Sequence, residues 1–367
     1  MRFTCASADL MNGLSIATRA LSARSPLPIF EGVLLESCDQ GLKLTCSDSS
    51  LSIVTRVSAT IEEEGKVVLP GRLFSEVVRK MPTGEVDGRV SQNFSAVFRC
   101  MGSRTTIAGQ SAENFPELPE INAECTVELS QPVLKDMIRQ TSFAISSDES
   151  RMILTGSLLE IENGEARLVA LDGFRLAIRL QEIASSPRMN AVIPGKVLSE
   201  VAKILSDDEN ELVSLTVGGN QLLAGLGETE VYAQLIEGEY IKYRQIMPRD
   251  WKTRVKVNRG EMAQCIDRAS LMAREGKSNL VKLSIHEGRM VITSNSEMGD
   301  VYEELSVGQE GEGLDIAFNV KYMSDVVRAV DDDELYLCFN SSVSPCVINP
   351  TQGNAFTYLV LPVRVNA

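Results

Sequence analysis

Leu10, Leu14, Ala17 and Leu21 recur at steps of four, three and four, which predicts one apolar face of a helix near the start of the chain. A short strand, Arg2-Phe3-Thr4, precedes it. Residues 32–37 and 42–45 then alternate apolar and polar on either side of Asp39-Gln40-Gly41, the pattern of two strands joined by a turn. The same succession returns later. Thr126-Val127-Glu128-Leu129 predicts a strand and Leu134 opens an amphipathic segment. Residues 158–161 and 166–170 then flank Asn163-Gly164, a dipeptide suited to a tight hairpin. A Pro-Gly segment opens a second helix, with proline near the first turn, where its missing N–H costs little. Further strands, such as residues 94–99 and 105–108, close the unit.

The recurrence has a fixed period. Leu69-Pro70-Gly71-Arg72-Leu73-Phe74-Ser75-Glu76-Val77 returns as Ile193-Pro194-Gly195-Lys196-Val197-Leu198-Ser199-Glu200-Val201, and more loosely as Phe318-Asn319-Val320-Lys321-Tyr322-Met323-Ser324-Asp325-Val326. Leu10, Leu134 and Met262 open the first helices, and Asp48, Asp172 and Asn295 follow equivalent strands. A unit this long exceeds the roughly 20–50 residues of a solenoid repeat, so each copy is expected to be a domain. The expected domains are 1–124, 125–250 and 251–367, each with two helices against antiparallel sheet. The fold class is α+β.

Composition narrows the class. Of 367 residues, 44% are hydrophobic and 23% charged, ordinary for a globular chain. The longest apolar runs, such as residues 358–363, are too short to span a bilayer, and polar residues interrupt the start from Thr4 to Asn12, so neither a membrane span nor a leader is expected. The eight cysteines form no C-x-x-C pair and read as reduced, structural thiols of a cytoplasmic protein.

A net charge of −14 argues against binding nucleic acid by bulk electrostatics, but leaves room for a local basic surface. Each second helix carries two cations seven residues apart: Arg72 and Arg79, Lys196 and Lys203, Lys321 and Arg328. Seven residues is two turns, so each pair projects from one face roughly 10 Å apart. Such a face can follow phosphates without reading bases. It can equally be a solvated face with weak i,i+4 pairs to Glu76, Glu200 and Asp325. Both readings stay open here. Catalytic chemistry finds little support: His286 is the single histidine, placed before a hairpin turn, and no phosphate loop or nucleophile elbow occurs. The repeated Asp48 and Asp172 are expected to orient turns, with a metal site as the minor alternative. No cofactor, metal or catalytic residue is expected.

Several stretches, in order, resemble the bacterial DNA sliding clamps, the beta subunits of the replicative polymerase: Ser25-Pro26-Leu27-Pro28-Ile29, Leu171-Asp172-Gly173-Phe174-Arg175-Leu176-Ala177, Tyr240-Ile241-Lys242-Tyr243-Arg244-Gln245-Ile246-Met247-Pro248, Phe318-Asn319-Val320 and Tyr358-Leu359-Val360-Leu361-Pro362-Val363-Arg364. The resemblance implies a head-to-tail homodimer closing into a ring around double-stranded DNA, without sequence preference, with helices inside and sheets outside. It implies partners in the polymerase, the clamp loader and other proteins carrying a clamp-binding motif, docked in a groove. Leu154, Leu171, Gly173, Phe174, Arg175, Leu176, Ile241, Ile246, Val320, Val360, Leu361, Pro362, Val363 and Arg364 match that groove, with Arg175 and Arg364 expected at its rim. Arg24, Arg72, Arg151 and Lys196 match basic positions toward DNA, and Ile107, Leu271 and Met272 match the subunit contact. Phe174, Ile241 and Gln245 depart from the family's frequent histidine, proline and arginine, and Met152 and Ile153 stand where tyrosines can face DNA. Two other classes remain: an interaction scaffold that forms no ring, and an enzyme using Asp48 and Asp172.

Overall fold

Where the pattern predicted amphipathic segments, helices form. In the computed structural model they are α1 (Ser7–Ala17), α2 (Gly71–Arg79), α3 (Gln131–Thr141), α4 (Gly195–Ala202), α5 (Arg259–Glu275) and α6 (Val320–Ala329), two per repeat. The structure describes residues 1–22, 27–39, 41–184, 188–276 and 279–364. Leu10, Leu14 and Ala17 are buried as one stripe of α1, and Pro70 stands at the N-cap of α2. Asn163 and Gly164 both take positive φ, 54° and 78°, as a primed hairpin turn requires. Glu287 and Gly288 do the same after His286. Among the described residues no helix is long and apolar enough to cross a membrane.

The chain forms two compact units, Met1–Pro132 with Lys196–Leu235, and Val133–Gly195 with Ile236–Ala367. In the first, a five-stranded sheet runs from Thr60–Glu63 at one edge to Ser103–Ala108 at the other. Its eight-stranded sheet joins two repeats, because Thr229–Gln234, the last strand of repeat two, pairs antiparallel with Leu51–Val57 of repeat one. In the second unit a nine-stranded sheet does the same. Phe356–Val360, the last strand of repeat three, pairs antiparallel with Arg175–Glu182 of repeat two. A four-stranded sheet in this unit ends at Gly299–Ser306. Joining repeats through strand pairing satisfies edges that would otherwise be open templates.

Phe356–Val360 is thus an interior strand, flanked by Arg175–Glu182 and Cys346–Pro350. A proline after an apolar run suggests a sheet edge, but here the strand ends at Val360, and Pro362 lies beyond it, where no ladder bond is needed. Asn295 also departs from its repeat partners. It sits inside the strand Arg289–Ser296, opposite Asp300, and Ser296 takes over the turn by accepting the N–H of Met298 at 3.1 Å. All eight cysteines are unpaired and six are buried. Burial first, then nearby acidic groups, pushes the Cys5 thiol up to about 12, and burial pushes Cys46 and Cys346 further still, so these thiols stay protonated and inert.

Candidate functional site

One face of the nine-stranded sheet carries a small apolar cluster of its own. Strand alternation brings Leu158, Val169, Leu171, Leu176 and Leu359 to that face, where they pack with Leu154, Tyr240 and Tyr243. The stretch 236–247 crosses the cluster as a strap. Its tyrosines point inward, while Ile241 and Ile246 are 43% and 51% exposed. Tyr240 donates its hydroxyl to the Val169 carbonyl at 3.3 Å. Tyr243 donates to Glu160 at 2.7 Å, and Arg244 donates from Nη1 and Nη2 to the two oxygens of the same carboxylate at 2.9 and 2.5 Å. Burial alone would raise the Glu160 pKa, but the Arg244 and Tyr243 hydrogen bonds outweigh it and hold the carboxyl below its ordinary range.

The turn 171–175 forms one side of this surface. Gly173 takes φ +95°, and Asp172 caps the turn by accepting the backbone N–H groups of Phe174 and Arg175 at 2.9 and 3.0 Å. Arg175 does not reach the rim. It is 7% exposed, donates to Asp172 at 3.0 Å and Asp325 at 2.6 Å, and lies between the rings of Phe143 and Tyr322, at 5.3 and 4.5 Å. The expected place at the rim is corrected to a buried one: this guanidinium, spent on two carboxylates and two rings, fixes the turn against α6. Phe174 stays 55% exposed and stacks on Tyr322 at 6.0 Å between ring centres. Beyond the sheet, Leu361 donates its N–H to the Phe174 carbonyl and Val363 to that of Ala317, both at 2.8 Å, leaving each side chain 37% exposed.

Of the expected groove residues, Leu154, Leu171 and Leu176 therefore form a buried floor, and Val320 and Val360 belong to the larger core of the same unit. Gly173, Phe174, Ile241, Ile246, Leu361, Val363 and Arg364 are exposed and Pro362 is half-buried. Sequence reasoning missed Glu160, Phe143, Tyr322 and Asp325. Tyr243 and Arg244 lay in plain view within the resemblance, but nothing local marks Glu160 as their partner.

The basic positions are distributed between the two units. Lys196 is exposed and pairs with Asp48, and Arg72 is exposed on α2. Burial would raise the Asp48 pKa, but Lys196 and the turn's N–H and hydroxyl donors lower it. Arg151 is held by Asp148 at 3.3 Å and by the Asp172 carbonyl at 3.1 Å, so it braces the turn. Arg24 lies outside the described residues. The expected i,i+4 pairs of two helices give way to other partners: Glu200 binds Lys203 and Arg19, and Asp325 binds Arg175. Arg328 pairs with Asp267 at 2.7 Å.

Of the expected subunit-contact residues, Leu271 is 59% exposed on α5, and Met272 places its sulfur 3.8 Å from the hydroxyl of Ser296, the last residue of Arg289–Ser296, which stands opposite Gly299 of the edge strand Gly299–Ser306. Ile107 is only 2% exposed. Its side chain is core, while Arg104, Thr106 and Ala108 of the same strand are exposed.

Residues 1–119, 128–242 and 244–364 match in turn the N-terminal, central and C-terminal domains of the DNA polymerase III beta subunit. The chain belongs to that family. It is 35% identical over 375 residues to the beta sliding clamp of Staphylococcus epidermidis, covering 99% of both chains. The crystal structure of the Bacillus subtilis DNA polymerase sliding clamp superposes with a TM-score of 0.95 at 35% identity, with full coverage of both. That of a DNA polymerase III beta subunit from Eubacterium rectale gives 0.96 at 34%, again with full coverage. As a beta subunit, the chain is a DNA sliding clamp, a non-catalytic processivity factor. The Asp48 and Asp172 turns accordingly serve architecture: each carboxylate spends its acceptors on its own backbone and on one cation.

Proposed function

We propose that two copies close head to tail into a ring around duplex DNA, that the rings are built from domains 1–124, 125–250 and 251–367, and that the apolar face described above receives a short peptide from the polymerase, the clamp loader and other partners. The observation that carries the ring is a rule of strand pairing that the chain obeys twice. The last strand of repeat two pairs with Leu51–Val57, and the last strand of repeat three pairs with Arg175–Glu182. The last strand of repeat one, Ser103–Ala108, and the repeat-three counterpart of those acceptors, Gly299–Ser306, are both sheet edges. A second copy would complete both pairings at once, by a heterologous contact that closes after two subunits. Val231 stands opposite Ile53 and Tyr358 opposite Ala177, so at the repeat spacing Ile107 would stand opposite Val301 of the second copy. Arg104 on one edge and Asp300 and Glu304 on the other are exposed and of opposite sign.

Arg24, Arg72, Arg151 and Lys196 remain proposed DNA contacts on an otherwise acidic chain. An acidic exterior would repel DNA, and a ring retained by topology needs only weak phosphate contacts, which would let it slide. A cytoplasmic location goes with that substrate. Replacing Leu271 and Met272 together by alanine is expected to give folded monomers at micromolar concentration, read as native mass with unchanged circular dichroism. A dimer mass in the double variant would refute this contact.

A further inference from the structure

We propose that Glu160 is a positioning residue for partner binding, acting through the strap 236–247 without touching the peptide. This rests on the groove reading above. The strap starts with a backbone bond to the sheet, from the Ile236 N–H to the Val192 carbonyl at 2.9 Å, but where it brings Ile241 and Ile246 to the surface its backbone hydrogen bonds are local: Tyr243 to Ile241 at 2.7 Å, Gln245 to Lys242 at 2.9 Å and Ile246 to Tyr243 at 3.1 Å. These bonds shape one short turn, Tyr243–Gln245, but do not tie it to the sheet. The tie is made by side chains. Tyr240 reaches Val169, and Glu160 gathers the Tyr243 hydroxyl and both terminal nitrogens of Arg244.

Glu160 is built for this. Its carboxylate is 13% exposed, projects from the strand Gly156–Glu162 beside Leu158, and has Arg167 opposite it at 3.8 Å. A bidentate arginine–carboxylate pair fixes direction as well as distance, and the phenol adds a third bond at an angle to it. Burial and the Glu160 carboxylate both keep the Tyr243 hydroxyl protonated, so it remains a donor at all physiological pH values. Arg244 itself is 53% exposed, and its guanidinium lies 5.1 Å from the Tyr243 ring centre. The turn is therefore pinned between Tyr240 and Arg244, with Ile241 inside the pinned stretch and Ile246 two residues past it. A surface whose exposed apolar anchors are oriented by such a clasp binds tightly when the clasp is closed, because the anchors need not be ordered on binding.

The test measures affinity for a fluorescent Gln-Leu-Ser-Leu-Phe peptide, of the Q-L-x-L-F type that the resemblance to sliding clamps implies for partners, in full-length protein carrying Glu160→Gln, Arg244→Gln, both changes, or Ile246→Asp. Melting temperatures are recorded alongside, and binding is read well below all of them. The positioning role predicts about tenfold weaker binding in each single clasp variant, and a double variant little weaker than either, since the two act as one unit. A residue that only stabilised the fold would lower the melting temperature and leave the affinity of the folded protein unchanged. Unchanged affinity in both clasp variants, with binding lost in Ile246→Asp, overturns the role of Glu160 and keeps the groove. Unchanged affinity in Ile246→Asp removes the groove reading itself. Arg244 is exposed enough for its variant to fold even if Glu160→Gln does not.

Discussion

Removing Leu361 through Ala367 is expected to abolish binding of the same peptide and stimulation of the polymerase, with the dimer intact. The deletion starts after the strand Phe356–Val360, so the interior ladder with Arg175–Glu182 and Cys346–Pro350 is kept. What is lost is the exposed pair Leu361 and Val363, along with the backbone bonds that hold them to Phe174 and Ala317. Fully burying such a side chain contributes about 1.5–3 kcal/mol, and with only 37% of each left to bury, losing the two weakens binding by about tenfold through those side chains alone, to which loss of the backbone hold on Phe174 adds. Neither proposed subunit edge includes these residues, which is why native mass should not change. Wild-type peptide affinity in the truncated protein would show that partners dock elsewhere.

Arg175→Ala is expected to be the most destabilising single substitution at this surface. It strips the shared cation from Asp172 and Asp325, whose side chains are 14% and 28% exposed, and leaves the Phe143 and Tyr322 rings facing a void. Removing one partner from a largely buried ion-pair set costs about 3 kcal/mol or more, a fall in melting temperature of roughly 5–10 °C. Arg175→Lys should fall between, because an ammonium keeps the charge but cannot serve both carboxylates and stack in one plane. Calorimetry decides this. A melting temperature within a degree of wild type in Arg175→Ala would mean that the carboxylates are solvated without it.

Much of this architecture can be read from local pattern, and the rest has an identifiable reason for being hidden. The Leu10-Leu14-Ala17 stripe, the Asn163-Gly164 turn and the returning Pro-Gly segments each encode structure within a few residues, and each is where the pattern put it. Pairing between repeats is not encoded that way. Leu51–Val57 looks like any alternating strand, and nothing near it names Thr229–Gln234 as its neighbour. The same distance hid the orientation of Ile107 and the interior position of Phe356–Val360, since a strand's place in a sheet depends on partners far along the chain. At the groove, the apolar members were visible as motif residues. The charges were misread: Arg175 looks like a surface residue until Asp325, 150 positions away, is brought against it. Glu160 lies 84 residues from Arg244, so its role became legible only in three dimensions.

Retention on DNA tests the central claim most directly. Clamps loaded on a closed circular duplex and passed through a sizing column in moderate salt should stay with the circle, and should be released when a single cut linearises it, because a ring leaves only through an end. Equal retention before and after cutting, or loss from both, would contradict a topological hold and with it the reading of this chain as a closed clamp.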